Sequence, residues 1–288
     1  MLIPLGLDRN HFAILGSTTK KLPGGTSGDI DIGIDLSYLK TTTEIKDYDT
    51  FCTAIEPMLK NARIDYRKTT ARKMMSIVWP IVNVDKKQPN SFVQVDLMPV
   101  DNLDMVKWGS YAPAEKDSPY KGMVRNELLR QYTAIFKYKV LKKANVNGVE
   151  ETVEYRKYEL DIRYGLFDKT LSRQGKDPAK LLKVPKVLSK KLITDNALKI
   201  VKILFGSNQT LDNFLTIDTT WKQFEKSALY KNTELRNVIL AKCINEYNRN
   251  DVSYPKYMEN AMTDKSLLRK KEVVLEGGNA IEGVSRIT

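Results

Sequence analysis

The chain has 288 residues, 42% of them hydrophobic and 28% charged, enough to bury a sizeable core and too apolar to stay disordered. No apolar run is long enough to span a bilayer, and the start MLIPLGLDRNHF lacks the pattern of a secretory leader, so a cytoplasmic protein without membrane partners is expected. Two cysteines far apart, Cys52 and Cys243, argue against a disulfide framework or a zinc knuckle, and a formal charge of +12 favours a polyanionic partner such as nucleic acid over a merely solubilised surface.

In chain order, Phe12-Ala13-Ile14-Leu15 is a short apolar strand ending at Gly16-Ser17. A loop rich in glycine, lysine and threonine follows. Asp29-Ile30-Asp31-Ile32-Gly33-Ile34-Asp35-Leu36 then alternates with a period of two, which predicts a strand with one buried face. Between 44 and 61, Ile45, Tyr48, Phe51, Ile55 and Leu59 recur at helical spacing. Ser76–Val84 predicts a strand that Pro80 confines to an edge or splits in two, and Ser91–Met98 alternates again. Residues 101–120 read as loop, and a helix is expected from Tyr120 to Ala134.

Ile135–Lys143 and Glu151–Ile162 are rich in β-branched and aromatic residues and flank Asn147-Gly148, the favoured turn dipeptide of a β-hairpin. Beyond Thr194 the pattern turns helical. Asp195 can cap a helix through Leu204 that Gly206 ends, and further helices fit Leu211–Leu215, Thr219–Tyr230, Glu234–Asn248 and Tyr254–Met262. The expected organisation is a core over 1–118, a helix and hairpin extension over 119–190, a helical domain over 191–270 and a flexible tail over 271–288.

Chemistry concentrates at Gly16-Ser17 and, after eleven intervening residues, Asp29-Ile30-Asp31-Ile32. Aspartates one residue apart on a strand share a face, so their carboxylates can converge, and such hard oxygens suit magnesium. A glycine lets backbone approach phosphate closely, and the Ser17 amide and hydroxyl can donate to it, with Lys20 and Lys21 near in the same loop. Asp96, on the alternating strand FVQVDLM, is the candidate third carboxylate, with Asp101 in reserve. The competing interpretation is a polar strand face beside an ordinary turn.

These elements resemble the DNA polymerase β-like nucleotidyltransferase superfamily, whose hallmark is an apolar residue followed by Gly and Gly or Ser, a spacer, then acidic-apolar-acidic-apolar. Leu15-Gly16-Ser17 and Asp29-Ile30-Asp31-Ile32 match it, and the likeness covers residues 12–100. The middle and C-terminal regions are loosely similar to uncharacterised nucleotidyltransferases of large bacteriophages, which would place a phage-encoded member in the host cytoplasm.

The resemblance implies an α+β palm, a mixed sheet with flanking helices, here with an inserted hairpin and a helical C-terminal region. It further implies two magnesium ions, replaceable by manganese, held by Asp29, Asp31 and Asp96, and a nucleoside triphosphate donor gripped by Gly16 and Ser17. Lys20, Ser110, Lys121 and Arg125 are further candidates for triphosphate or acceptor contacts, the last two sharing a helix face unless that face is simply solvated. Tyr111, Tyr120 and Tyr132 could stack on a base or could pack internally. The basic residues Lys137, Lys139, Lys142, Lys143, Arg156, Lys157 and Arg163 could follow a nucleic-acid backbone.

His11, the only histidine, is expected to be structural, which disfavours hydrolase triads. The charge favours an RNA end as acceptor. The alternatives are a small cationic molecule or a protein side chain as acceptor, or a non-catalytic nucleic-acid-binding or virion-associated protein with this fold.

Overall fold

The alternation of the Asp29–Asp35 segment decides the centre of the fold: its isoleucines need an apolar layer on one side, and its aspartates cannot enter one. In the computed structural model, which describes residues 6–16, 29–80, 92–111, 118–137, 139–146, 149–174 and 186–268, this segment is an inner strand of a five-stranded sheet. The chain divides into two compact units, neither continuous in sequence: Met1–Asn126 with Asp161–Gly165 and Thr194–Gln223, and Glu127–Leu160 with Leu166–Ile193 and Phe224–Thr288. The helical region expected at 191–270 is therefore shared between them.

In the first unit, β1 (Phe12–Leu15), β2 (Asp29–Asp35), β3 (Tyr66–Thr69), β4 (Met74–Pro80) and β5 (Phe92–Val100) are ordered β1-β2-β5-β4-β3. The β2–β5 pair is parallel and the rest antiparallel, so the sheet is mixed and the unit α+β. Asp35 closes β2 by accepting the Tyr38 amide at 3.1 Å, which starts α1 (Leu36–Thr42). Asp47 and Thr50 cap each other at the start of α2 (Tyr48–Asn61). That helix lays Phe51, Ile55 and Leu59 against Ile34, Met75, Ile77 and Leu97, with Ile30 and Ile32 at the margin. Each fully buried side chain of this size contributes about 1.5–3 kcal/mol.

The opposite sheet face is divided. One end is apolar, where Leu15, Met98 and Val100 pack with Leu103 and Val106 of α3 (Leu103–Gly109). Gly33 permits this approach, since a Cβ there would lie 3.0 Å from both Leu15 and Leu103. The other end carries the aspartates.

Two expectations need correction. Pro80 does not make β4 an edge strand, because β3 pairs with its outer side; the expected continuation over 81–84 lies outside the described residues. Residues 103–109 are helical rather than loop, started by Asn102, whose side chain accepts the Met105 amide at 2.9 Å. This unit also contains the start of α4 (Gly122–Phe136), α5 (Ala197–Phe205), a 3-10 turn at Leu211–Phe214 where a helix was expected, and most of α6 (Ile217–Lys226). Asn196, one residue beyond the expected Asp195, caps α5, and Gly206 ends it.

In the second unit the expected hairpin pairs from Lys139↔Arg156 to Val146↔Val149, and its turn dipeptide lies outside the described residues. It is half of a four-stranded sheet ordered β6 (Lys139–Val146), β7 (Val149–Asp161), β8 (Gly165–Gln174) and β9 (Lys186–Thr194). The ion pairs Arg156–Asp168 and Lys169–Glu159 join β7 to β8. The single helix expected over Thr219–Tyr230 breaks at Ser227, which caps α7 (Ala228–Lys231). Next, α8 (Thr233–Arg249) buries Ile239, Leu240, Cys243, Ile244 and Tyr247 and is followed by α9 (Lys256–Asn260). No described helix is long and apolar enough to cross a membrane. The tail over 271–288 lies outside the described residues.

Candidate metal centre

Parallel pairing of β2 and β5 sets Asp31 directly opposite Asp96, and Asp29 is two residues along the same face of β2. One carboxylate oxygen from each of the three lies within 4.8 Å of the others. Asp96 is buried and Asp29 and Asp31 half-buried. Gln94, two residues before Asp96 on the same strand face, donates from Nε2 to Asp96 Oδ1 at 3.0 Å and fixes that carboxylate.

The electrostatics follow from this crowding. Burial, then the negative charges of Asp29 and Asp96, push the Asp31 carboxyl up to about 6, against an opposing pull from Arg163. A divalent cation would relieve the repulsion that raises it, and three converging hard oxygens are the donor set such an ion takes. The cluster can therefore hold a metal ion.

Gly16 sits against the same group. Its φ of +67° is in the left-handed region, and a Cβ added there would fall 2.5 Å from Asp31 Oδ2. Only glycine satisfies both conditions. Ser17 and Lys20 lie outside the described residues.

The remaining candidates lie in several different settings. Lys121 is exposed and precedes α4, its carbonyl accepting the Val124 amide. Arg125 is a correction: it is 1% exposed, and its guanidinium donates to the carbonyls of Trp108, Gly109, Phe214 and Leu215 and to Asn126 Oδ1. Those acceptors engage the guanidinium internally, so it shares no basic surface with Lys121. Asp101, the reserve candidate, is outside the cluster and pairs with Lys40 at 2.5 Å. Ser110 ends α3. Tyr111 is exposed, whereas Tyr132 is buried against Phe136 and Phe224. His11 stacks on Tyr38 with its Nδ1 2.7 Å from Asp8.

Sequence reasoning overlooked the neighbours that complete the face. Register runs Leu15, Asp31, Asp96, Ser76, Arg67 across all five strands. Beside that row, a cleft of about 630 Å³ is lined by Asp65, Arg67, Thr69, Arg72, Ser76 and Gln94 among others. Arg163 donates from Nη1 to the Arg72 carbonyl at 2.6 Å and is the cation felt by Asp31. The Gln94–Asp96 spacing was a usable signal; the position of Arg163, remote in sequence, was not.

No family model, curated protein or solved structure matches the chain.

Proposed function

We propose that the chain is a metal-dependent nucleotidyltransferase with a polymerase β-like palm, transferring a nucleoside monophosphate from a triphosphate to an acceptor hydroxyl, with an RNA end as the acceptor class. The observation that carries this reading is the convergence of Asp29, Asp31 and Asp96, with Gly16 lying too close to Asp31 for any side chain.

In the reaction the acceptor oxygen bonds to the α-phosphorus, the α–β bridging bond breaks, and pyrophosphate leaves. Two bound magnesium ions, or manganese in their place, would supply charge neutralisation at the triphosphate and a more acidic acceptor hydroxyl. Asp29 and Asp31 would hold both ions. Asp96, steadied by Gln94, would complete the acceptor-side shell and favour the deprotonated hydroxyl. Gly16 and Ser17 would hold the β- and γ-phosphates through backbone and hydroxyl donors, with Lys20 adding positive charge. Arg163 would balance negative charge next to Asp31.

The test is incubation of the full chain with each labelled nucleoside triphosphate, magnesium and mixed cellular RNA, beside Asp31→Asn and Asp96→Asn. Labelled RNA is expected from the unaltered chain, with either substitution lowering the rate by on the order of a hundredfold or more. Absence of both labelled acceptor and magnesium-dependent nucleotide binding would sink the reading.

A further inference from the structure

The metal-binding face continues past the carboxylates into the cleft. Cross-strand partners point to the same side of a sheet, so the row Asp31, Asp96, Ser76, Arg67 is a continuous track from acid to base. Strands are about 4.8 Å apart, which places the Arg67 backbone roughly 10 Å from that of Asp96. Gln94 belongs to both places: it holds Asp96 and lines the cleft. Its volume falls within the roughly 300–1,000 Å³ typical of ligand sites.

Charge along the lining changes with distance from the triad. Arg67 and Arg72 are exposed, and among the described residues neither has a carboxylate partner within salt-bridge distance. Arg163 adds a third cation, hydrogen-bonded to the Arg72 carbonyl. Asp65 is the acidic exception in the lining, while Thr69 and Ser76 add hydroxyls. A cationic acceptor such as an aminoglycoside would meet two arginines here; a phosphodiester would be attracted to them.

We propose that this cleft binds the backbone of a single-stranded RNA acceptor upstream of its reacting end, with Arg67 and Arg72 contacting phosphates and Ser76 and Gln94 alongside the terminal ribose. The proposal rests on the nucleotidyltransferase reading and assigns its acceptor strand a binding site.

A labelled RNA twelve-mer is titrated with the full chain in EDTA without triphosphate, and binding is followed by fluorescence anisotropy. Arg67→Ala/Arg72→Ala is expected to raise Kd roughly tenfold, as loss of two phosphate contacts should. The comparison variant Lys46→Ala/Lys60→Ala removes equal charge around α2, which packs on the other side of the sheet, and should move Kd less than twofold. An unchanged Kd in the arginine variant, or an equal loss in the lysine variant, overturns the proposal. Because EDTA excludes turnover, arginine-dependent RNA binding without any label transfer refutes the proposed reaction and leaves the cleft assignment standing. Conversely, label transfer to RNA with an unaffected arginine variant removes the cleft alone.

Discussion

At Gly16 two independent constraints meet, a left-handed backbone and the Asp31 carboxylate 2.5 Å from where a Cβ would stand. Gly16→Ala must therefore pay strain at φ and also displace the metal-binding side chain. A stability loss of about 1–3 kcal/mol is expected in a urea melt, together with weakened magnesium binding. If the variant binds magnesium as the unaltered chain does, Gly16 has no positional role at the site. Asp31 itself makes a pH prediction for the metal-free protein. Its folded pKa, about 6, stands above the ordinary aspartate value of 3.8. Between those values the folded chain holds a proton that the unfolded chain has released. The stabilising contribution is thus complete below pH 3.8 and lost as pH rises through about 6. Allowing for partial exposure, it amounts to on the order of 1–2 kcal/mol. In EDTA, Asp31→Asn should be more stable than the unaltered chain at pH 7.5 and lose that advantage near pH 4.5. Equal melting temperatures for the two proteins at both pH values would contradict the crowding described for this site.

Among the elements, α4 shows how far a residue's type can mislead about its use. Arg125 is in the sequence a candidate for triphosphate or acceptor contacts or a residue of a solvated helix face, yet it serves four backbone carbonyls and Asn126 from inside the first unit. Burial lowers its pKa to about 10, which leaves it charged at neutral pH. Arg125→Met keeps much of the volume but strands those carbonyls, and a cost of about 3–5 kcal/mol is expected. The denaturant midpoint should fall while KM for the triphosphate in the folded fraction stays constant; a raised KM with normal stability would restore the ligand role. Strands β2 and β5 and helix α2 were legible because their apolar residues repeat with the period of the element. The four residues of β3, YRKT, carry no such signal, since an edge strand of alternating polar residues resembles a loop. Helix α3 was hidden by the glycine and serine at its end. Of the site, Asp29 and Asp31 followed from local alternation, and Asp96 from strand pattern alone. What placed Asp96 opposite Asp31, and Arg67 in the same row, was register, a property of pairing between distant segments.

Across the whole molecule, a net charge of +12 coexists with a site built from three carboxylates. Several acidic residues elsewhere are matched by cations, as in Lys40–Asp101, Lys68–Glu56 and Arg156–Asp168, so the excess positive charge is not cancelled by them. A polyanion can be drawn to such a chain in two ways, by diffuse attraction to many lysines or by defined contacts in one cleft. Salt separates these. For a single strand, log K falls with log salt at about 0.7 per phosphate neutralised. Removing Arg67 and Arg72 should reduce the magnitude of the slope by about 1.4 if each holds one phosphate. Diffuse attraction predicts a smaller change, shared equally with any other pair of basic residues. Anisotropy titrations between 50 and 300 mM salt (a range of about sixfold) give the slope directly. A slope unaltered in Arg67→Ala/Arg72→Ala would mean that the charge acts as a cloud around the protein, and that RNA is held somewhere other than beside the aspartates.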